Sequence, residues 1–118
     1  MKPNSAIKKG KRLEQKVASL WRSKVDGFAV GTPGSGSGAK HKEDVYNRYF
    51  AIECKNKETH SIWQEWEQAR GETSFAKPPV LCISGNYRPI LVVMDINDWL
   101  DLVKEAKLET KRGGDIHD

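Results

Sequence analysis

The sequence predicts an α/β protein built on a mixed central β-sheet flanked by helices. Three observations carry that prediction. Residues 6–24 show the apolar periodicity of a long helix. Two continuous apolar runs, VLCIS (80–84) and ILVVMD (90–95), have the character of buried strands. Helix-like and strand-like patterns follow one another as helix, strands, helix, two strands, helix. A length of 118 residues suits one domain over 1–118.

In the first element Leu13, Val17, Leu20 and Trp21 recur at i, i+4, i+7 and i+8, with Asn4 or Ser5 as the cap and Asp26-Gly27 as the stop. GFAV (27–30) is a short strand. Residues 31–43, GTPGSGSGAKHKE, form a flexible Gly/Ser/Lys loop whose bare N–H groups, Ser35, Ser37, Lys40 and Lys42 suit phosphate oxygens. It is not a Walker A loop, because the one Gly-Lys pair, Gly10-Lys11, has no Ser or Thr after it. DVYNRYFAIECKN (44–56) reads as a β-hairpin turning at Asn47-Arg48. On its second strand Phe50, Ile52 and Cys54 point one way, and Ala51, Glu53 and Lys55 the other. SIWQEWEQARGE (61–72) is a helix with Ile62, Trp66 and Ala69 on one side. Its spacing makes Trp63 and Trp66 core residues rather than base-stacking platforms. Pro78-Pro79 ends any continuation. Two buried strands follow, then a helix over 96–107 carrying Ile96, Trp99, Leu100 and Val103 on one stripe. Residues 108–118 are a frayed tail.

The net charge of +4 is unevenly spread. Residues 1–24 hold eight Lys or Arg against one acid, whereas residues 95–118 hold four against seven. A basic end opposed to an acidic one predicts a face for a polyanion, with Lys8, Lys9, Lys11 and Arg12 at its centre. No run approaches the roughly 18 apolar residues that span a membrane. There is no secretory h-region, and Cys54 and Cys82 lie in apolar runs as reduced core thiols. The expected location is the cytoplasm, with no membrane partner.

The chemistry is concentrated in the hairpin. Asp44 opens one strand, and Glu53 and Lys55 lie on the next, a D-x₈-E-x-K spacing. Taken singly these are ordinary turn and solvent-face residues. Taken together, a hairpin brings the two carboxylates near one another, and a hard divalent cation is what makes such a pair stable. The Cys54 carbonyl lies between the charged residues, Lys55 is placed to orient water, and Glu14 sits at the edge of the first helix's stripe. His41, His60 and His117 have no zinc-ligand spacing.

Glu14 on a first helix, Asp44, Glu53-Cys54-Lys55, and the runs PGSGSGAKHKEDV, WQEWEQA and PPVLCISGN…PILVVMDINDWLDL together resemble the PD-(D/E)xK pattern. That is the pattern of the restriction-endonuclease-like nuclease superfamily, and these runs are similar to its archaeal-type and phage Holliday junction resolvase branch. The likeness extends from about residue 10 to 103. It implies an α-β-β-β-α-β-β-α core. It implies Asp44 and Glu53 as metal ligands with the Cys54 carbonyl, Glu14 assisting the metal, and Lys55 as the catalytic lysine. Gln68 is the accessory polar group, with Gln64 and Glu65 as rivals, and Ser35, Ser37, Lys40 and Lys42 touch DNA. Glu43 stands where the pattern has proline and rivals Asp44 as a ligand. The implied activity is a Mg²⁺-dependent endodeoxyribonuclease (Mn²⁺ as the alternative ion) that resolves four-way junctions as a homodimer. The alternatives are a repair or restriction nuclease of the same superfamily, and a non-catalytic DNA-binding module of the same fold.

Overall fold

The computed structural model describes residues 3–31, 43–71 and 77–108. The expected loop, except for its ends Gly31 and Glu43, and the tail beyond Leu108 lie outside these residues.

Helix α1 (Pro3–Lys24) buries Leu13, Val17 and Ala18 against the sheet, with Trp21 packed at the margin. It starts earlier than the sequence predicts. Proline is at home in the first helical turn, so Asn4 and Ser5 lie inside the helix instead of capping it. Leu20 is exposed and Ala18 takes its place in the buried stripe. Past the helix, Asp26 is fully buried. Its Oδ1 accepts the Phe28 N–H (3.0 Å), and its Oδ2 accepts the N–H (3.0 Å) and Nε (3.3 Å) of Arg48. This turn consumes residues 26–29, which is why the first strand is β1 (Val30–Gly31) and not 27–30.

β1 pairs antiparallel with β2 (Val45–Tyr46), and β2 with β3 (Ala51–Asn56). The connection between β2 and β3 is organised by Asn47. Its Oδ1 accepts the N–H groups of Tyr49 and Phe50, both at 2.8 Å, while its Nδ2 donates to the Phe50 carbonyl at 2.8 Å. Helix α2 (Ile62–Gly71) then crosses over so that β4 (Pro79–Ser84) lies parallel to β3, with Ile52 beside Val80 and Cys54 beside Cys82. Gly85 follows. A Cβ there would come within 2.9 Å of the Lys57 carbonyl, so only glycine lets this turn approach. β5 (Leu91–Val93) closes the five-stranded sheet, in spatial order β1-β2-β3-β4-β5, and α3 (Ile96–Ala106) follows it. Asp95 caps α3 through the Asn97 N–H.

The element order and mixed sheet are the α/β arrangement that the sequence predicts. One core joins α1 to Val45, Ile52, Cys54, Val80 and Cys82, and both cysteines are free thiols within it. Three burial expectations fail. Trp63 is 79 % exposed, because α2 turns Glu65 and Ala69 inward instead. β5 is half-exposed rather than interior, and α3 buries none of its residues.

Candidate active site

β3 fixes half of the site. Alternation sends Ile52 and Cys54 toward α1 and turns Glu53 and Lys55 to the other face. Glu53 is buried, and the Lys55 ammonium lies 3.6 Å from its Oε2. Burial of an acid on a strand is tolerable only with such a partner.

The other half is set at the mouth of the hairpin. Val45 pairs with Ile52, yet the Asp44 N–H also reaches the Ile52 carbonyl (2.8 Å) instead of continuing the register to Glu53. That one-residue offset has the character of a β-bulge, a device that re-aims a side chain. Here it sends the Asp44 carboxylate onto the Cys54 N–H, 2.8 Å from Oδ2. Asp44 thereby brackets Glu53 in the chain. Its backbone holds the residue before Glu53, and its side chain holds the residue after.

Glu14, on α1, is near enough to Asp44 to feel its charge. Burial, and next the negative charge of Asp44, raise its carboxyl above the ordinary value; Lys11, 3.5 Å away, pulls in the opposite direction. The Cys54 thiol is pushed up by its hydrogen bond with Cys82 and by burial, and further by the charges of Asp44 and Glu14. The structure thus sets Glu14 and the Cys54 thiol within electrostatic reach of Asp44. Glu53 and Lys55 occupy the adjoining positions on the other face of β3.

The remaining expected residues divide. Gln68 and Gln64 lie on the exposed side of α2. Glu65 is buried and committed elsewhere: it accepts from His60 Nδ1 (2.8 Å), the Ser61 N–H (2.9 Å) and Lys57 (3.1 Å). Burial alone would raise its carboxyl, but these three donors outweigh burial and lower it. His60 Nε2 lies 2.8 Å from the Ser84 carbonyl, so the pair ties the start of α2 to β4. Glu43 is engaged by Lys77, which also reaches the Asn47 carbonyl and lies over the Tyr46 ring. Among the basic residues Lys8 and Arg12 are exposed, whereas Lys9 pairs with Glu58 at 3.1 Å. Ser35, Ser37, Lys40 and Lys42 lie outside the described residues. The residues that sequence reasoning missed are structural supports, Asp26, Lys77 and the His60–Glu65 pair. Apart from Phe28 and Ser61, two and four positions away, their partners lie 5 to 34 positions away, and no spacing rule selects them.

A family model described as "Phage putative PDDEXK endonuclease" matches residues 5–113. The chain belongs to this family. It is therefore a nuclease of the PD-(D/E)xK superfamily, and its fold is restriction-endonuclease-like. No curated protein and no solved structure matches it.

Nucleases of this superfamily generally use divalent metal ions. Among the described residues of this nuclease, no three His, Cys, Asp or Glu side chains gather closely enough to enclose an ion. The donor chemistry nevertheless fits a hard cation that keeps part of its water shell. Glu14 and Asp44 are oxygen donors whose charges repel one another. In a strand a residue's N–H and carbonyl project to the same side, so the Cys54 carbonyl faces the edge where its N–H meets Asp44. Among the described residues, no helix of the nuclease is long and apolar enough to cross a membrane.

Proposed function

We propose that this nuclease is a metal-dependent endodeoxyribonuclease acting on branched DNA, four-way junctions foremost, and that residues 1–118 act as one nuclease domain in the cytoplasm. The observation that carries the reading is the placement of Asp44: its carboxylate is fixed on the Cys54 N–H and its charge reaches Glu14, with Glu53 and Lys55 in the adjoining positions. A bare cluster of acids would repel a phosphodiester. A cation held there reverses that sign.

In this reading Asp44 and Glu53 are the principal ligands of Mg²⁺, joined by the Cys54 carbonyl and assisted by Glu14. The ion supplies positive charge against the phosphate and lowers the pKa of water. The protein's own share is positional. The Cys54 N–H keeps the Asp44 carboxylate from rotating away. Lys55, partly in solvent beside Glu53, brings a mobile positive charge to the scissile phosphate. Gln68 completes the polar rim. The exposed lysines and arginines of α1, together with Ser35, Ser37, Lys40 and Lys42, hold the DNA backbone, a sequence-independent role suited to a shape-reading enzyme. Symmetric cutting of a junction needs two active sites, hence a homodimer.

The test is incubation with a labelled four-way junction and a linear duplex of the same sequence, with and without Mg²⁺. Paired, symmetric, Mg²⁺-dependent nicks confined to the junction are expected. Equal cutting of the duplex would replace junction resolution by a repair or restriction role. Binding without cutting in either ion, Mg²⁺ or Mn²⁺, would reduce the protein to a DNA-binding module.

A further inference from the structure

Helix α3 is turned the wrong way round for a solitary domain. Its acids Asp98, Asp101 and Glu105, with Leu102 beside them, line a groove of about 400 Å³ opposite Trp21, Tyr49 and Phe50. The Asp98 carboxyl is raised by burial there and by the charges of Asp95 and Asp101. At about 100° per residue, Ile96, Trp99, Leu100 and Val103 fall on the other side of the helix. An amphipathic helix normally faces its domain with its apolar stripe. Here Ile96, Trp99 and Leu100 of that stripe are exposed, and only Val103 is half-buried.

The same surface continues onto β5 at Val92, which shares a sheet face with its register partner Cys82. Val92, Ile96, Trp99 and Leu100 are each 49–62 % exposed. Together they present on the order of 500 Å² of largely apolar surface, within the range of the largest patch on a monomer and more than half of the roughly 800 Å² that each partner gives a standard interface. Among the described residues β5 pairs only with β4, so its outer backbone edge is open. Open, apolar edges are templates for another strand.

We propose that this face is the contact between two copies of the chain: β5 pairs antiparallel with β5 of a second copy across a two-fold axis at Val92, and the outer stripe of α3 packs over the join. Antiparallel pairing of a strand with itself satisfies two-fold symmetry without any further fitting. A shallow hollow lined by Val92, Met94, Ile96 and Trp99 receives an apolar side chain of the copy. Self-contact sets each charge against its own sign, and the centre of this face carries none. A nucleic acid is excluded as occupant, since the patch is apolar and its helix is acidic on the far side. The inference supplies the surface for the two-subunit reading above and rests on that reading only for its role in paired cutting.

The experiment uses the full chain without DNA, so its outcome is independent of catalysis. Sedimentation velocity from about 1 to about 100 µM is expected to show a monomer–dimer equilibrium. Val92→Lys places two like charges at the axis and weakens the dimer on the order of 100-fold. Glu53→Gln sediments as the wild type, which separates loss of cutting from loss of pairing. Val92→Cys is the second probe. With glutathione disulfide as oxidant, the two introduced thiols at the axis lose their protons and two electrons to form one intermolecular disulfide, and the glutathione is released as two thiols. That cross-link is read on a non-reducing gel, and it decides the matter should circular dichroism show Val92→Lys unfolded. A wild type that stays monomeric throughout overturns the inference, as does a dimer that folded Val92→Lys leaves intact, or a Val92→Cys chain that fails to cross-link.

Discussion

Replacing Asn47 by alanine tests the local architecture behind the site. The side chain is fully buried and makes three short hydrogen bonds, to the N–H groups of Tyr49 and Phe50 and to the Phe50 carbonyl, with a longer one to the Val45 carbonyl at 3.4 Å. At about 1 kcal/mol net per short bond the loss comes to about 3 kcal/mol. The long bond adds little, and water entering the turn would offset part of the total. The connection Asn47 organises also sets where β2 leaves β3, and so where Asp44 meets Cys54. The assay is urea unfolding followed by tryptophan fluorescence. Trp21 is a local reporter, with its ring 6.4 Å from Tyr49 and 5.9 Å from Phe50. A drop in unfolding free energy of about 3 kcal/mol with an unchanged m-value is expected. A drop below about 1 kcal/mol would show that backbone and solvent satisfy the turn without this amide, and the argument for a side-chain-built connection would fail.

Asp44→Asn and Glu53→Gln should each abolish Mg²⁺-dependent cleavage while junction binding, measured by gel shift, is kept or tightened; cleavage by both variants would refute the site. Lys55→Ala should lose cleavage on the order of 100-fold or more with metal affinity by calorimetry little changed. Asp26 gives a pH signature. Hydrogen bonds from the Phe28 N–H, and then from Arg48, lower its carboxyl below the ordinary 3.8. Its contribution to stability is therefore complete above that value and disappears as pH falls through the lower, folded-state value. The stability gap between wild type and Asp26→Asn should be widest near neutral pH and narrow on acidification, as followed by denaturation at several pH values. A gap that widens in acid would reverse the assignment.

Local pattern made most of the architecture legible. The boundaries of α2, β4 and α3 follow from periodicity and from Pro78-Pro79, and D-x₈-E-x-K placed Asp44 and Glu53 on one hairpin. What pattern does not encode is which neighbour covers a face. Leu91, Val92 and Trp99 read as core because they are apolar, but burial depends on a covering surface, and the described residues do not supply one. Trp63 fails for a related reason: the inward side of α2 is set by the Glu65 bonds to His60 and Lys57, a polar anchor that outranks an aromatic ring. The contact between Asp44 and Cys54 was hidden as well. It depends on a one-residue slip at the start of β2, and uniform strand geometry does not anticipate such a slip.

The connectivity around β3 also bears on the order in which the molecule assembles. The bonds that hold Asp44 link residues 8 and 10 apart in sequence. The parallel register of β3 with β4 joins residues 28 apart, beyond a helix that must already be in position. The loop entropy for the first is the smaller, and a hairpin closes on a scale of about 1–10 µs. The corner carrying Asp44 belongs to the cheapest unit to nucleate, and the rest of the sheet condenses onto an edge that already holds it.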